Sequence, residues 1–146
     1  PDIGASRRSR NFAEKLGVPL AIVEKRRSLD GSKTNMMNLI GEVRGRNAII
    51  FDDEVDTAGT LTQAASFLVE QGAREVYASA THAILSPPAV DRLQASPIKE
   101  LVVTNTVNIP PEKRLPNMTV LSIAPLLGEV IRRIHLGISV GEMFNE

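Results

Sequence analysis

The sequence predicts an α/β fold, a mostly parallel twisted sheet flanked by helices. Three observations carry this expectation. Short apolar runs of strand length alternate along the chain with amphipathic segments of helix length. The 146 residues are 42% hydrophobic, which suits one ordinary domain with a real core. One apolar run, Asn47 to Phe51, passes straight into paired acids, a hydroxyl-rich turn and a helix. Loops of that kind follow the strands of parallel sheets and bind their ligands.

Taken in order, Pro1 to Ala5 reads as the exit of a strand. Residues 6–16 read as a helix, with Ser6 as a possible N-cap, Gly17 as the stop, and Phe12, Ala13 and Leu16 on one face. Residues 18–24 form a compact apolar run and predict a buried strand. Residues 25–33 are charged and contain Gly31, which predicts a long mobile loop. Residues 36–43 are weakly strand-like, and residues 47–51 predict a buried strand. Residues 54–59 predict a loop, and residues 60–71 an amphipathic helix closed by Gly72. Further strands are expected at 75–83, 99–105 and 118–123. Further helices are expected at 88–94, with proline in the first turn, and at 125–136. A tail runs on to Glu146. No repeat or linker divides the chain, so residues 1–146 are expected to form a single domain.

Composition excludes several classes. With no cysteine there is no disulfide, thiolate metal site or cysteine nucleophile. Lys plus Arg and Asp plus Glu are both 17, so no excess of positive charge suits a nucleic-acid backbone. Aromatic residues are 3% of the chain, which leaves few platforms for base stacking. No apolar run approaches the ~20 residues of a membrane helix, and a cytoplasmic protein is expected. Neither a P-loop nor a dinucleotide fingerprint occurs, and no His, Asp and Glu group has zinc spacing. His82 and His135 are expected to be ordinary residues, His82 packed and hydrogen-bonded at a strand end, His135 on a helix.

The chemistry concentrates in residues 49–60. Thr57, Ala58, Gly59 and Thr60 stand where backbone N–H groups collect at a helix N-terminus, a setting that suits a phosphate. Gly59 lets a ligand come close to the backbone, and the two threonines add hydroxyls. Asp52 and Asp53, at the strand end, can accept hydrogen bonds from vicinal sugar hydroxyls. One loop would then hold a ribose with a 5-phosphate. The bland alternative is that Asp56 or Thr57 caps the helix and the other acids are solvated.

This string resembles the phosphoribosyl-diphosphate loop of the type I phosphoribosyltransferase fold. Pro1-Asp2-Ile3-Gly4, Lys25-Arg26-Arg27, Thr81-His82, Leu101-Val102-Val103-Thr104-Asn105 and Ser139-Val140 narrow the resemblance to the ribose-phosphate diphosphokinase family, the phosphoribosyl pyrophosphate synthetases. The resemblance covers the whole chain and the C-terminal half of the family's protein. The chain opens without Met, and the N-terminal domain is expected to be absent from it.

The resemblance implies a phosphoribosyltransferase-like fold. It implies transfer of the diphosphoryl group of ATP to the C1 hydroxyl of ribose 5-phosphate, with AMP released, for nucleotide biosynthesis. It implies that Asp52 and Asp53 hold the ribose hydroxyls and that Asp56, Thr57, Ala58, Gly59 and Thr60 wrap the 5-phosphate. Lys25 and Arg27 would be catalytic, neutralising charge on the transferring phosphates. Asp2 would be a ligand of Mg²⁺, which needs few protein carboxylates. Ser139 would belong to a regulatory segment at a subunit interface. Partners implied are the N-terminal half and further copies, dimers assembling to a hexamer. Ala5 stands where the family commonly has Gly, and Gly141 where it often has Ser, which bears on that regulation. Two other readings remain: a phosphoribosyltransferase that consumes phosphoribosyl pyrophosphate, and a non-catalytic regulatory homologue. The chain alone is expected to be inactive or nearly so.

Overall fold

In the computed structural model, residues 3–27 and 35–144 are described, with 3–8, 25–27 and 35–36 described in backbone only. Helix α1 (Ile3–Leu16) leads into a hairpin of β1 (Ile22–Arg27) and β2 (Asn35–Ile40). Then come β3 (Asn47–Val55), α2 (Gly59–Glu70), β4 (Glu75–Ala83), α3 (Ala89–Gln94), β5 (Ile98–Thr104), β6 (Met118–Leu121) and α4 (Ala124–Leu136). Short 3-10 turns lie at Pro111–Lys113 and Gly141–Phe144.

The main sheet has four parallel strands in the order β3-β4-β5-β6. The expected α/β class with a mostly parallel sheet and flanking helices is what the chain adopts. The hairpin is a separate two-stranded antiparallel sheet, pairing Ile22 with Ile40 and Arg27 with Asn35.

The two faces of the parallel sheet differ. Side chains alternate along a strand, and partners in register share a face. Asn47 pairs with Glu75, Ala48 with Val76 and Ile50 with Ala78, which fixes that alternation across β3 and β4. The face holding Val76, Ala78, Ala80, Leu101 and Val103 is buried, and its cluster includes Leu61, Ala65 and Leu68 of α2 and Ala89 and Leu93 of α3. The other face holds Ile49, Phe51, Tyr77 and Ser79, none of them buried. Helix α1 touches this side through Phe12, whose ring centroid is 3.8 Å from that of Phe51.

Several expectations need correction. Helix α1 begins at Ile3, so Ile3 to Ala5 are helical rather than a strand exit, and Ser6 lies inside the helix rather than at its cap. The first strand is not 18–24. It begins at Ile22 and carries Lys25 and Arg27 within it, because antiparallel pairing with β2 extends through Arg27. The loop expected at 25–33 therefore loses its first three residues to β1, and its remainder falls outside the described residues. Strand β3 runs on to Val55, so Asp52 and Asp53 lie at its end as expected, while Glu54 and Val55 belong to the strand rather than to the loop expected at 54–59. It is also half exposed, with Ile49 at 47%, because it forms the edge of the sheet. Strand β4 has the predicted bounds, and α2, α3, α4, β5 and β6 shift by one or two residues. Gly17 and Gly72 follow their helices in left-handed backbone, φ 64° and 91°, as their stop roles require.

Candidate functional site

The site is built where β3 turns into α2. Asp52 and Asp53 sit near the carboxyl end of β3 and are exposed. The Asp53 N–H donates to Asp52 Oδ1 at 2.9 Å. Successive strand residues face opposite ways, so the two acids straddle the strand end. Glu54, opposite His82, shares the face of Asp52, which lies opposite Ala80. Partial desolvation of the Asp52 carboxyl raises its pKa above the ordinary 3.8, and the neighbouring acids Asp53 and Glu54 add to that against the Asp53 N–H bond.

The chain then bends at Asp56 and Thr57, both exposed, and enters α2 through Ala58. Ala58 is buried and holds a left-handed conformation, φ 59° and ψ 6°. The start of α2 carries no side-chain cap and no acidic residue in its first turn. Neither Asp56 nor Thr57 caps the helix, while Asp52, Asp53 and Glu54 are exposed, as the bland alternative has them. The first-turn N–H groups are thus free of side-chain acceptors, at the positive end of the helix dipole. The Thr62 hydroxyl donates to the carbonyl of Ala58 at 2.9 Å and steadies the turn from within the helix.

One strong contact was not legible in the sequence. Arg92, on α3, donates from Nη1 to the carbonyl of Thr57 at 3.0 Å, across 35 residues. No local pattern marks it, because the contact is made only when α3 packs beside α2. Glu54 was legible as an acid and went unused.

The remaining predicted residues fall as follows. Asp2 lies outside the described residues. Lys25 and Arg27 lie in β1, placed by their backbones alone. Asp52, Asp53, Asp56, Thr57, Ala58, Gly59 and Thr60 come together around one turn. Ser139 is elsewhere, its carbonyl accepting from Arg133 Nη1 at 2.7 Å, with Arg133 also bonded to Glu129 and Glu142. His82 is exposed rather than packed, though hydrogen-bonded as expected, with Nδ1 2.9 Å from the Thr106 hydroxyl. Thr104 and Thr106 both donate to the carbonyl of Thr81, tying the ends of β4 and β5 together. His135 lies exposed on α4.

Among the described residues, no group of three or more His, Asp or Glu gathers to hold a metal ion. A metal bound here would take one or two carboxylates and draw its other ligands from water and phosphate, the habit of Mg²⁺. A cleft of about 220 Å³ beside α3 is lined by Leu85, Pro87, Pro88, Val90, Asp91 and Lys113, and takes in none of the turn residues.

Comparison with known proteins gives the same neighbourhood. A family model described as the phosphoribosyl synthetase-associated domain matches residues 28–145. A ribose-phosphate pyrophosphokinase of Caldanaerobacter subterraneus subsp. tengcongensis is 53% identical over 144 residues, covering 99% of this chain and 45% of that protein. A chloroplastic ribose-phosphate pyrophosphokinase 1 of Oryza sativa subsp. japonica is 50% identical over 142 residues, 97% of this chain and 36% of that protein. The crystal structure of phosphoribosylpyrophosphate synthetase from Mycobacterium smegmatis superposes with a TM-score of 0.84 at 43% identity, over 94% of this chain and 44% of that one. The chain thus spans less than half the length of these relatives. A family match over most of the chain, and the same fold at this level of identity, place the protein in the phosphoribosyl synthetase-associated family.

Proposed function

We propose that this chain is the C-terminal, ribose-phosphate-binding half of a ribose-phosphate diphosphokinase. The observation that carries the reading is the uncapped N-terminus of α2, set directly behind Asp52 and Asp53. Backbone donors and a helix dipole suit the 5-phosphate, and carboxylates suit the sugar hydroxyls. In the proposed reaction the C1 hydroxyl oxygen of ribose 5-phosphate attacks the β-phosphorus of ATP. The bond from that phosphorus to the α-phosphate oxygen breaks, AMP leaves, and the hydroxyl proton passes to solvent.

In this reading Asp52 and Asp53 orient the ribose, while Asp56, Thr57, Ala58, Gly59 and Thr60 hold its phosphate. Lys25 and Arg27, at the end of β1, neutralise the transferring phosphates. Asp2 would be a carboxylate ligand of Mg²⁺, which when bound offsets the charge of the ATP phosphates. The donor is ATP, the setting cytoplasmic nucleotide biosynthesis, and the assembly dimers joined into a hexamer. Ser139 belongs to a regulatory segment of that assembly.

The relatives are more than twice as long as this chain, and we assign their additional half as the partner that covers the apolar side of α4. The chain alone is accordingly inactive or nearly so. The test is a calorimetric titration of this chain with ribose 5-phosphate in the presence of Mg²⁺. Saturable binding that is lost in Asp52→Asn is the expected result. Binding that is equal in both forms rejects the sugar-hydroxyl role. Conversion of ribose 5-phosphate and ATP to AMP by the full-length protein separates this reading from a phosphoribosyltransferase and from a non-catalytic homologue.

A further inference from the structure

The turn before α2 is held from outside by a side chain on another helix. Arg92 Nη1 donates to the carbonyl of Thr57 at 3.0 Å. The same nitrogen stands 3.2 Å from the place a Cβ on Gly59 would occupy, and Cζ stands 3.8 Å from it. The guanidinium therefore bonds the backbone just before Ala58 and lies on bare backbone just after it. Ala58 itself is a non-glycine residue at φ 59°. That conformation is unfavourable for an L-residue and persists only where the surroundings enforce it. No side-chain cap enforces it at the helix start. Thr62 grips the carbonyl of Ala58 from inside α2, and Arg92 grips that of Thr57 from α3.

The geometry points to Arg92 as a positioning residue for the ribose-phosphate turn. Its fork holds the backbone of Thr57 to Gly59 in the conformation that keeps the first N–H groups of α2 gathered for a phosphate. Arginine suits this better than lysine. Its planar group can donate one directed bond while its edge lies against glycine, whereas an ammonium is a point charge without that shape. Gly59 then has a second role, since any side chain there would push the guanidinium aside. The inference rests on the reading of residues 52–60 as a ribose-phosphate site.

The experiment uses the full-length protein that carries this chain, with Arg92→Ala, Arg92→Lys and Asp52→Asn. It measures the KM for ribose 5-phosphate and for ATP separately, together with kcat and the thermal midpoint. The expected result is a rise of about tenfold in the KM for ribose 5-phosphate in Arg92→Ala, the scale of one hydrogen bond, with the KM for ATP unchanged. Arg92→Lys should recover part of that loss. A lower thermal midpoint with both KM values unchanged, or both raised together, would overturn the positioning role. If Arg92→Ala does not fold, the same KM split is read on Arg92→Lys. If Asp52→Asn raises the KM for ribose 5-phosphate and the Arg92 variants do not, the inference fails and the site reading stands. If neither moves it, the site reading has failed and takes the inference with it.

Discussion

Helices α2 and α4 are nearly equal in length, 12 and 13 residues, and both are amphipathic, yet they meet opposite fates. Helix α2 buries Leu61, Ala65 and Leu68 against the sheet. No residue of helix α4 is fully buried, and its Ile131 and Ile134 are 67% and 66% exposed. Their starts differ as well. Neither helix has a side-chain cap at its N-cap residue, but next to α4 the Ile123 N–H is taken by Asn105 Oδ1 at 2.9 Å and the Ala124 N–H by Ser122 Oγ at 3.2 Å. The start of α2 has no such side-chain acceptor. The packed helix starts without a side-chain acceptor, and the other helix leaves its apolar side exposed. A helical pattern therefore says that a face is apolar, and only the surrounding chain decides what covers it.

The comparison breaks most readily in the core. Leu68→Ala should destabilise this chain by about 2–5 kcal/mol in a denaturant titration, since it leaves a cavity beside the sheet. Ile131→Ala should fall within ~0.5 kcal/mol of the parent in the same experiment. Equal losses would mean that α4 is packed after all. In the full-length protein the contrast should narrow. Ile134→Ala should there cost ~2 kcal/mol or more, because the additional half covers it in the proposed assembly. A neutral result in the full-length protein would leave α4 without its assigned partner.

At the helix starts, Asp52→Asn should weaken ribose 5-phosphate binding about tenfold or more while the thermal midpoint holds, as an exposed position allows. The ionised carboxylate is the form that accepts from sugar hydroxyls. Its pKa is raised, so binding should fall on acidification with a midpoint above 3.8, and the Asn variant should lack that step. The sign for stability is opposite. A raised carboxyl pKa means that ionisation costs the fold stability as pH climbs through that window.

The smallest effect belongs to α4. Glu129 is bonded by Arg132 and Arg133, which hold its pKa down to about 2 from 4.5. Its contribution is present above pH 4.5 and is lost as pH falls toward 2. All three groups lie at the surface, Arg132 exposed and Glu129 and Arg133 half-buried, so Glu129→Gln should shift the acid unfolding curve slightly and the neutral-pH midpoint hardly at all.

How much of this was legible follows from what each signal encodes. Strand β4 was bounded correctly because its buried residues alternate through Val76, Ala78 and Ala80, a period that belongs to the strand itself. The turn at 52–60 was legible because acids, hydroxyls and Gly59 stand together in the sequence. Strand β1 was misplaced because its bounds are set by β2, whose pairing carries it through charged residues that read as loop. The exposure of β3 was missed because Asn47 to Phe51 is apolar enough for a central strand, and edge position is a property of the sheet. Ser6 looked like a cap only while the helix was thought to begin there. Arg92 was beyond reach, since an exposed arginine on a six-residue helix looks like any other.

The chain has one tyrosine and no tryptophan. Tyr77 lies in β4, its hydroxyl donates to Glu75 Oε2 at 2.8 Å, and Glu75 also pairs with Lys99. Excitation in the near ultraviolet will therefore sample a single phenol at the middle of the parallel sheet. Its emission should report the melting of that sheet and remain blind to anything that docks on α4. A tryptophan placed at the half-exposed edge of α4 would supply a second colour, and the two signals together would time the arrival of a partner against the folding of the sheet.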